Sequence, residues 1–160
     1  MNIFLLEYFR DKKEKIEDLL RIALHRQYSI KIRQDAALRA IDFAENSKDI
    51  NAVTQFLLKQ DGFRWPWYVV SEKLFENLAN WKAYKQAAKL SDKIQRWVPS
   101  EKNQRRRVYA HYRAGNSSHA LQILKKSKRV QLRAPASILD QEVVLRRLEN
   151  LSALPAKVEK

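Results

Sequence analysis

The sequence predicts an all-α fold, and three observations carry that expectation. The 160 residues include only two glycines and four prolines, too few turn formers for an all-β chain that reverses direction every ~8–12 residues. Apolar residues recur at the three- and four-residue steps of a helix along most of the chain. Between them stand Ala, Leu, Lys, Arg, Glu and Gln, the residues that lose least on entering a helix. With 45% hydrophobic and 31% charged residues, the chain can bury a core of its own and is expected to form one domain over residues 1–151.

The elements follow in order. Phe4, Leu5, Tyr8 and Phe9, then Ile16, Leu19, Leu20, Ala23 and Leu24, predict one long helix to about His25, or two with a break near Asp11. A helix from about Ile32 to Asn46 carries Ala36, Ala37, Ala40, Ile41, Phe43 and Ala44. Asn46-Ser47-Lys48-Asp49 ends it and offers side-chain acceptors to the free N–H groups of the next helix. That helix holds Ile50, Val53, Phe56, Leu57 and Leu58 and stops near Asp61-Gly62. Pro66 suits the first turn of a helix running to about Leu78, and Trp81 to Trp97 forms the next. Pro99-Ser100 is a stop followed by a cap. Two further helices, about Glu101 to Ala114 and Ser118 to Lys128, flank Gly115-Asn116-Ser117, and a last one after Pro135 uses Ile138, Leu139, Val143, Val144, Leu145, Leu148 and Leu151. Residues 152–160 are expected to form a flexible tail.

Asn46, Asn80 and Asn116 sit at the turns between successive helices, at intervals close to 34 residues. Such a period with two helices per unit is what stacked helical hairpins produce, because one hairpin cannot bury its apolar face alone. Within Val108-Tyr109-Ala110-His111-Tyr112-Arg113-Ala114-Gly115-Asn116-Ser117-Ser118-His119-Ala120-Leu121, Gly115 and Ala120 fall at the spacing of the tetratricopeptide-repeat (TPR) family, which this stretch resembles. The resemblance covers roughly residues 32–128; Val108 departs from the family's small residue, and the other two units lack the turn glycine. It implies a TPR-like α-solenoid of about three antiparallel helical hairpins with flanking N- and C-terminal helices. It also implies a non-catalytic scaffold or adaptor that binds another protein, with Arg105, Arg106 and Arg113 near the concave groove and the stripe from Lys82 to Arg96 on the outer face.

Charge is the most local property of the chain. Between Lys82 and Arg133 there are 15 Lys and Arg against Asp92 and Glu101, a net of +13, whereas the rest of the chain carries 17 against 16. Lys82, Lys85, Lys89, Lys93 and Arg96 are spaced to share one helix face, opposite Tyr84, Ala87, Ala88, Ser91 and Ile94. Lys102, Arg105, Arg106, Arg107 and Arg113, then Lys125, Lys126, Lys128, Arg129 and Arg133, follow without an acidic residue among them. Such density repels itself unless counter-ions or an anionic partner screen it. The candidate binding residues are therefore Lys82, Lys85, Lys89, Lys93, Arg96, Arg105, Arg106, Arg113, Lys125 and Lys126.

Beside the protein partner stands a second reading, an anionic polymer bound by residues 82–133, RNA first and acidic polysaccharide second. Guanidinium groups grip phosphate, sulfate or carboxylate, and nearby Trp81, Tyr84, Trp97, Tyr109 and Tyr112 offer rings for stacking. For Tyr84, Tyr109 and Tyr112, and for Trp65 and Trp67, core packing is the expected role. Three isolated histidines, no cysteine and no glycine-rich phosphate loop give no enzyme, metal or cofactor site to expect. The Ile3-Phe4-Leu5-Leu6 run is broken by Glu7 and Arg10, too short for a signal-peptide core or a membrane span, so a cytoplasmic protein is expected.

Overall fold

The computed structural model describes residues 12–60, 65–126 and Arg146. Among them are seven helices and no strand: α1 Lys12–Leu24, α2 Ile30–Phe43, α3 Asn51–Lys59, α4 Trp65–Asn80, α5 Tyr84–Trp97, α6 Glu101–Arg113 and α7 Ser117–Lys126. The fold is all-α. The helix expected after Pro135, the tail, the first eleven residues and the stop at Asp61-Gly62 lie outside the described residues. No helix among the described residues is long and apolar enough to cross a membrane.

The helices form where apolar spacing and caps coincide. In α1 the stripe of Ile16, Leu19, Leu20 and Ala23 is buried as expected, but Leu24 is 55% exposed because the helix ends on it. Ser29 caps α2, its hydroxyl accepting from Ile32 N at 3.3 Å, so the helix starts two residues earlier than the apolar pattern indicated. Ala36, Ala37 and Ala40 are fully buried. With so little bulk on that face α1 comes close, and these two helices share the most extensive packing among the described helices. Arg33 ties them further by donating from Nε to the carbonyl of Ala23 at 2.7 Å, satisfying one of the free carbonyls at the end of α1.

The turn after α2 uses its polar residues differently from the expectation. Asn46 Oδ1 accepts from Lys48 N at 2.9 Å and Asp49 N at 3.1 Å, and Asp49 Oδ2 accepts from Glu45 N at 3.1 Å. These bonds build the turn itself, while the N-cap of α3 is Ile50, which has no side-chain acceptor to offer. By contrast Ser100 does cap α6, accepting from Asn103 N at 3.1 Å.

Two later turns share one design. After α4, Lys82 N donates to Ala79 O and Ala83 N to Leu78 O; after α6, Gly115 N donates to Tyr112 O and Asn116 N to His111 O. Each is the paired C-terminal closure that needs one residue in the left-handed region, and that residue is Lys82 (φ 59) in the first and Gly115 (φ 90) in the second. The equivalent positions are therefore Lys82 and Gly115 rather than Asn80 and Asn116; Asn80 is the last residue of α4.

Side chains about 34 residues apart join alternate helices. Gln86 Nε2 donates to Asn51 Oδ1 at 3.3 Å, linking α5 to α3, and Asn103 Nδ2 donates to the Tyr68 hydroxyl at 3.4 Å, linking α6 to α4. α4 also packs on α2 and α5 on α6, whereas α2 and α3, adjacent in sequence, touch sparsely. One apolar core runs through all seven helices, with Phe75, Leu19, Ile41, Ile50, Leu57, Leu74, Leu78, Leu90 and Ile94 among its fully buried members.

The two left-handed turns make opposite predictions. A side chain other than glycine in that region costs about 1–2 kcal/mol, so Lys82→Gly should raise stability by about 1 kcal/mol. Gly115→Ala should lower it by a similar amount through backbone conformation alone, since an added Cβ meets nothing within 4 Å. Urea midpoints at unchanged slope measure both; equal midpoints for the three proteins would contradict the turn geometry.

Candidate functional site

The structure sorts nine of the ten predicted binding residues into two groups by what their head groups meet. On α5, Ala87, Ala88, Leu90, Ser91, Ile94 and Trp97 are buried, so the core side of the helix is the expected one, with Tyr84 half-buried at its start. Lys85, Lys89 and Arg96 are exposed and fall within about 40° of one another around the helix axis. Lys82 is exposed too, but it lies in the turn before α5. Lys93 departs from this row and is 8% exposed. About 80° around from Lys85, it donates from Nζ to the carbonyl of Leu58 and lies 5.4 Å from the Trp97 ring centre. The last carbonyls of α3 have no partner within their own helix, and Lys93 supplies one with a charge suited to a helix C-terminus.

On α6, charge that is uncompensated in sequence is compensated in space. Arg106 is only 4% exposed. Its Nη1 donates to Glu72 Oε2 at 2.7 Å and to Asn103 Oδ1 at 2.9 Å, while the guanidinium lies 5.9 Å from the Phe75 ring centre and Glu76 approaches at 3.9 Å. Lys102 reaches the same Glu72 at 3.4 Å, and Arg105, also buried, pairs with Glu101 at 3.4 Å. Arg107 Nε donates to Asp92 Oδ1 at 2.6 Å, and that oxygen also meets His111 Nε2 at 2.9 Å. Apart from Glu101 on α6 itself, the counter-charges come from α4 and α5, so the run from Lys102 to Arg107 does not require an external anion. Neither Arg105 nor Arg106 presents its head group to solvent.

Glu72 registers this neighbourhood. Partial burial pushes its carboxyl up, but hydrogen bonds from Arg106 and Lys102 and the charges of both outweigh that and hold it below its ordinary value of 4.5.

A solvent-facing set remains: Lys82, Lys85, Lys89, Arg96, Arg113 and Lys126. The side chain of Lys125 lies outside the described residues, as do Lys128, Arg129 and Arg133. Lys82, Lys85, Lys89, Arg96 and Lys126 form no ion pair with a described residue. Arg113 stacks on Tyr84, its guanidinium 5.0 Å from the ring centre and Nη2 donating to the hydroxyl at 3.1 Å. Tyr84 in turn meets Tyr109 edge-on at 6.1 Å. Burial raises the Tyr84 hydroxyl, but bonds with Arg113 and Tyr109 and the charges of Arg113 and Lys82 bring it below its ordinary value. The last residue of α6 thus meets the ring at the start of α5.

Most of the remaining aromatics pack inward. Trp67, Tyr68, Trp97 and Tyr109 are buried, Trp81 and Tyr112 are half-buried, and the side chain of Trp65 lies outside the described residues. His111 and His119 do approach across the Gly115 turn, with ring centres 4.6 Å apart. Among the described residues no group of three or more His, Asp and Glu side chains could hold a metal ion. Comparison with protein-family models, curated proteins and solved structures finds no match to the chain.

The Glu72 pair carries a pH prediction. Its folded-state value lies below its unfolded one, so the pair contributes stability above the ordinary carboxylate range and loses it as pH falls through the folded value. Urea unfolding followed from about pH 7 to about pH 3 should therefore show wild-type stability falling below about pH 4.5. Glu72→Gln should be less stable at neutral pH by about 1–3 kcal/mol and should show a shallower acid decline. Parallel curves for the two proteins would mean that Glu72 carries no such charge.

Proposed function

We propose that the chain is a non-catalytic helical-repeat scaffold that binds another macromolecule through the exposed cations around α5. In this reading α2 with α3, α4 with α5 and α6 with α7 are three TPR-like antiparallel hairpins, and α1 covers the apolar side of the first. Support comes from the ties across about 34 residues, Asn51 to Gln86, Leu58 to Lys93, Tyr68 to Asn103 and Glu72 to Arg106. In a stack of such units, equivalent helices of neighbours meet at one repeat length. The resemblance of residues 108–121 to the TPR pattern points the same way, with Gly115 at the turn and Ala120 fully buried.

The observation that carries the binding role is the partition of charge. Buried or paired cations knit the helices together, while Lys82, Lys85, Lys89 and Arg96 stand together on the outside without a counter-charge among the described residues. Like charges gathered this way raise the local potential and draw an anionic partner toward the face. A photo-crosslinking side chain at position 89 should capture a macromolecular adduct in extract of the source cell. The same group at Asp35, exposed on α2, should not. Equal capture at both positions, or none at 89, would remove the binding face.

A further inference from the structure

We propose that this face binds single-stranded RNA, one end of the bound stretch held by Lys82, Tyr84, Lys85 and Arg113 and its phosphates followed by Lys89 and Arg96. The inference rests on the binding reading above and names its partner.

Three observations favour a flexible polyanion. First, Lys85, Lys89 and Arg96 form a row about 16 Å long at about 1.5 Å rise per residue, and an extended phosphate backbone can follow such a row without a groove. Second, a protein partner wants an apolar centre to its interface, and the exposed large hydrophobics among the described residues are Leu24, Ile30 and Ile32, on α1 and α2 rather than beside the cations. Third, Lys82 occupies the left-handed position that Gly115 fills in the equivalent turn. Glycine would satisfy the backbone there with less strain. Strain of this kind at a position whose side chain could be dispensed with points to work done by the side chain, and the charge of Lys82 acts on Tyr84 beside Arg113.

The same corner favours RNA over an acidic polysaccharide. The Arg113 guanidinium sits over the Tyr84 ring, 5.0 Å from its centre, and unstacked bases bind by stacking on guanidinium and aromatic planes. Half-buried Trp81 and Tyr112 adjoin Lys82 and Arg113 in sequence and extend the set of rings.

The test is fluorescence anisotropy with a labelled oligouridylate about 12 nucleotides long, within the ~4–16 nucleotides that single-strand binders cover. Between about 50 and 200 mM salt, five phosphate contacts should give a slope of log affinity against log salt of about −3.5. The triple variant Lys85→Gln, Lys89→Gln, Arg96→Gln should bind at least ~10-fold more weakly with a slope near −1.4, about 0.7 per remaining contact. Lys82→Gly should bind several-fold more weakly although its fold is more stable, which separates a binding role from a structural one. Circular dichroism of each variant establishes that the helices persist.

Absence of binding at low salt, or unchanged affinity in both variants, overturns the proposal. Displacement of the RNA by an equal charge concentration of polyglutamate makes the partner an acidic protein segment, and preferential displacement by a sulfated glycan makes it a polysaccharide; either overturns it too. A protein adduct at position 89 together with a flat RNA titration would leave the scaffold reading standing and remove RNA alone.

Discussion

The guanidinium of Arg106 is almost wholly removed from water, and a charge in that position is tolerable only where opposite charge and hydrogen bonds replace its hydration. Glu72 and Asn103 supply them, and Glu72 stands on α4, two helices earlier in the chain. The requirement fixes α4 beside α6. α5 connects them and packs on both. Its third neighbour, α3, is held by the bonds from Gln86 and Lys93. What remains of the α5 surface after these contacts is the strip that carries Lys85, Lys89 and Arg96. The exposed cations are placed by the buried one.

The fold therefore treats its basic residues as two populations. Cations that meet a carboxylate or a helix C-terminus act as internal ties, and the partners of Lys93, Lys102, Arg106 and Arg107 lie on other helices. Exposed cations repel one another in a strip that gains nothing from their proximity, which opposes folding slightly and favours any anion that arrives. Arg113 belongs partly to each population, because its stacking on Tyr84 orders a group that still faces solvent.

How much of this was legible in the sequence differed from element to element. Helical periodicity located every described helix, and on α5 it assigned Ala87, Ala88, Ser91 and Ile94 to the core, because burial of a helix face follows directly from spacing. The end of α1 was less legible, since nothing in Ala23-Leu24-His25 distinguishes a last turn with one exposed leucine from a continuing helix. Lys93 continues the lysine spacing without interruption; only the position of the α3 carbonyls sets it apart. The α6 run looked uncompensated because its counter-charges, Glu72 and Asp92, lie up to 34 residues upstream. That separation is close to the interval between the turns and is the signal that could have paired Glu72 with Arg106. No signal marked Lys82 as left-handed, since lysine is rare there and glycine is what turn reading looks for.

The tie between α4 and α6 is tested most directly by a double-mutant cycle joining Glu72→Gln and Arg106→Met, with stability measured by urea unfolding at neutral pH. If Glu72 neutralises a buried Arg106, each single change leaves a polar group poorly matched, and the double variant should be more stable than the sum of the single losses implies, by about 1–3 kcal/mol. Additive losses within about 0.5 kcal/mol would mean that the two residues do not meet in the folded protein, and the placement of α5 and its cationic strip would lose its basis.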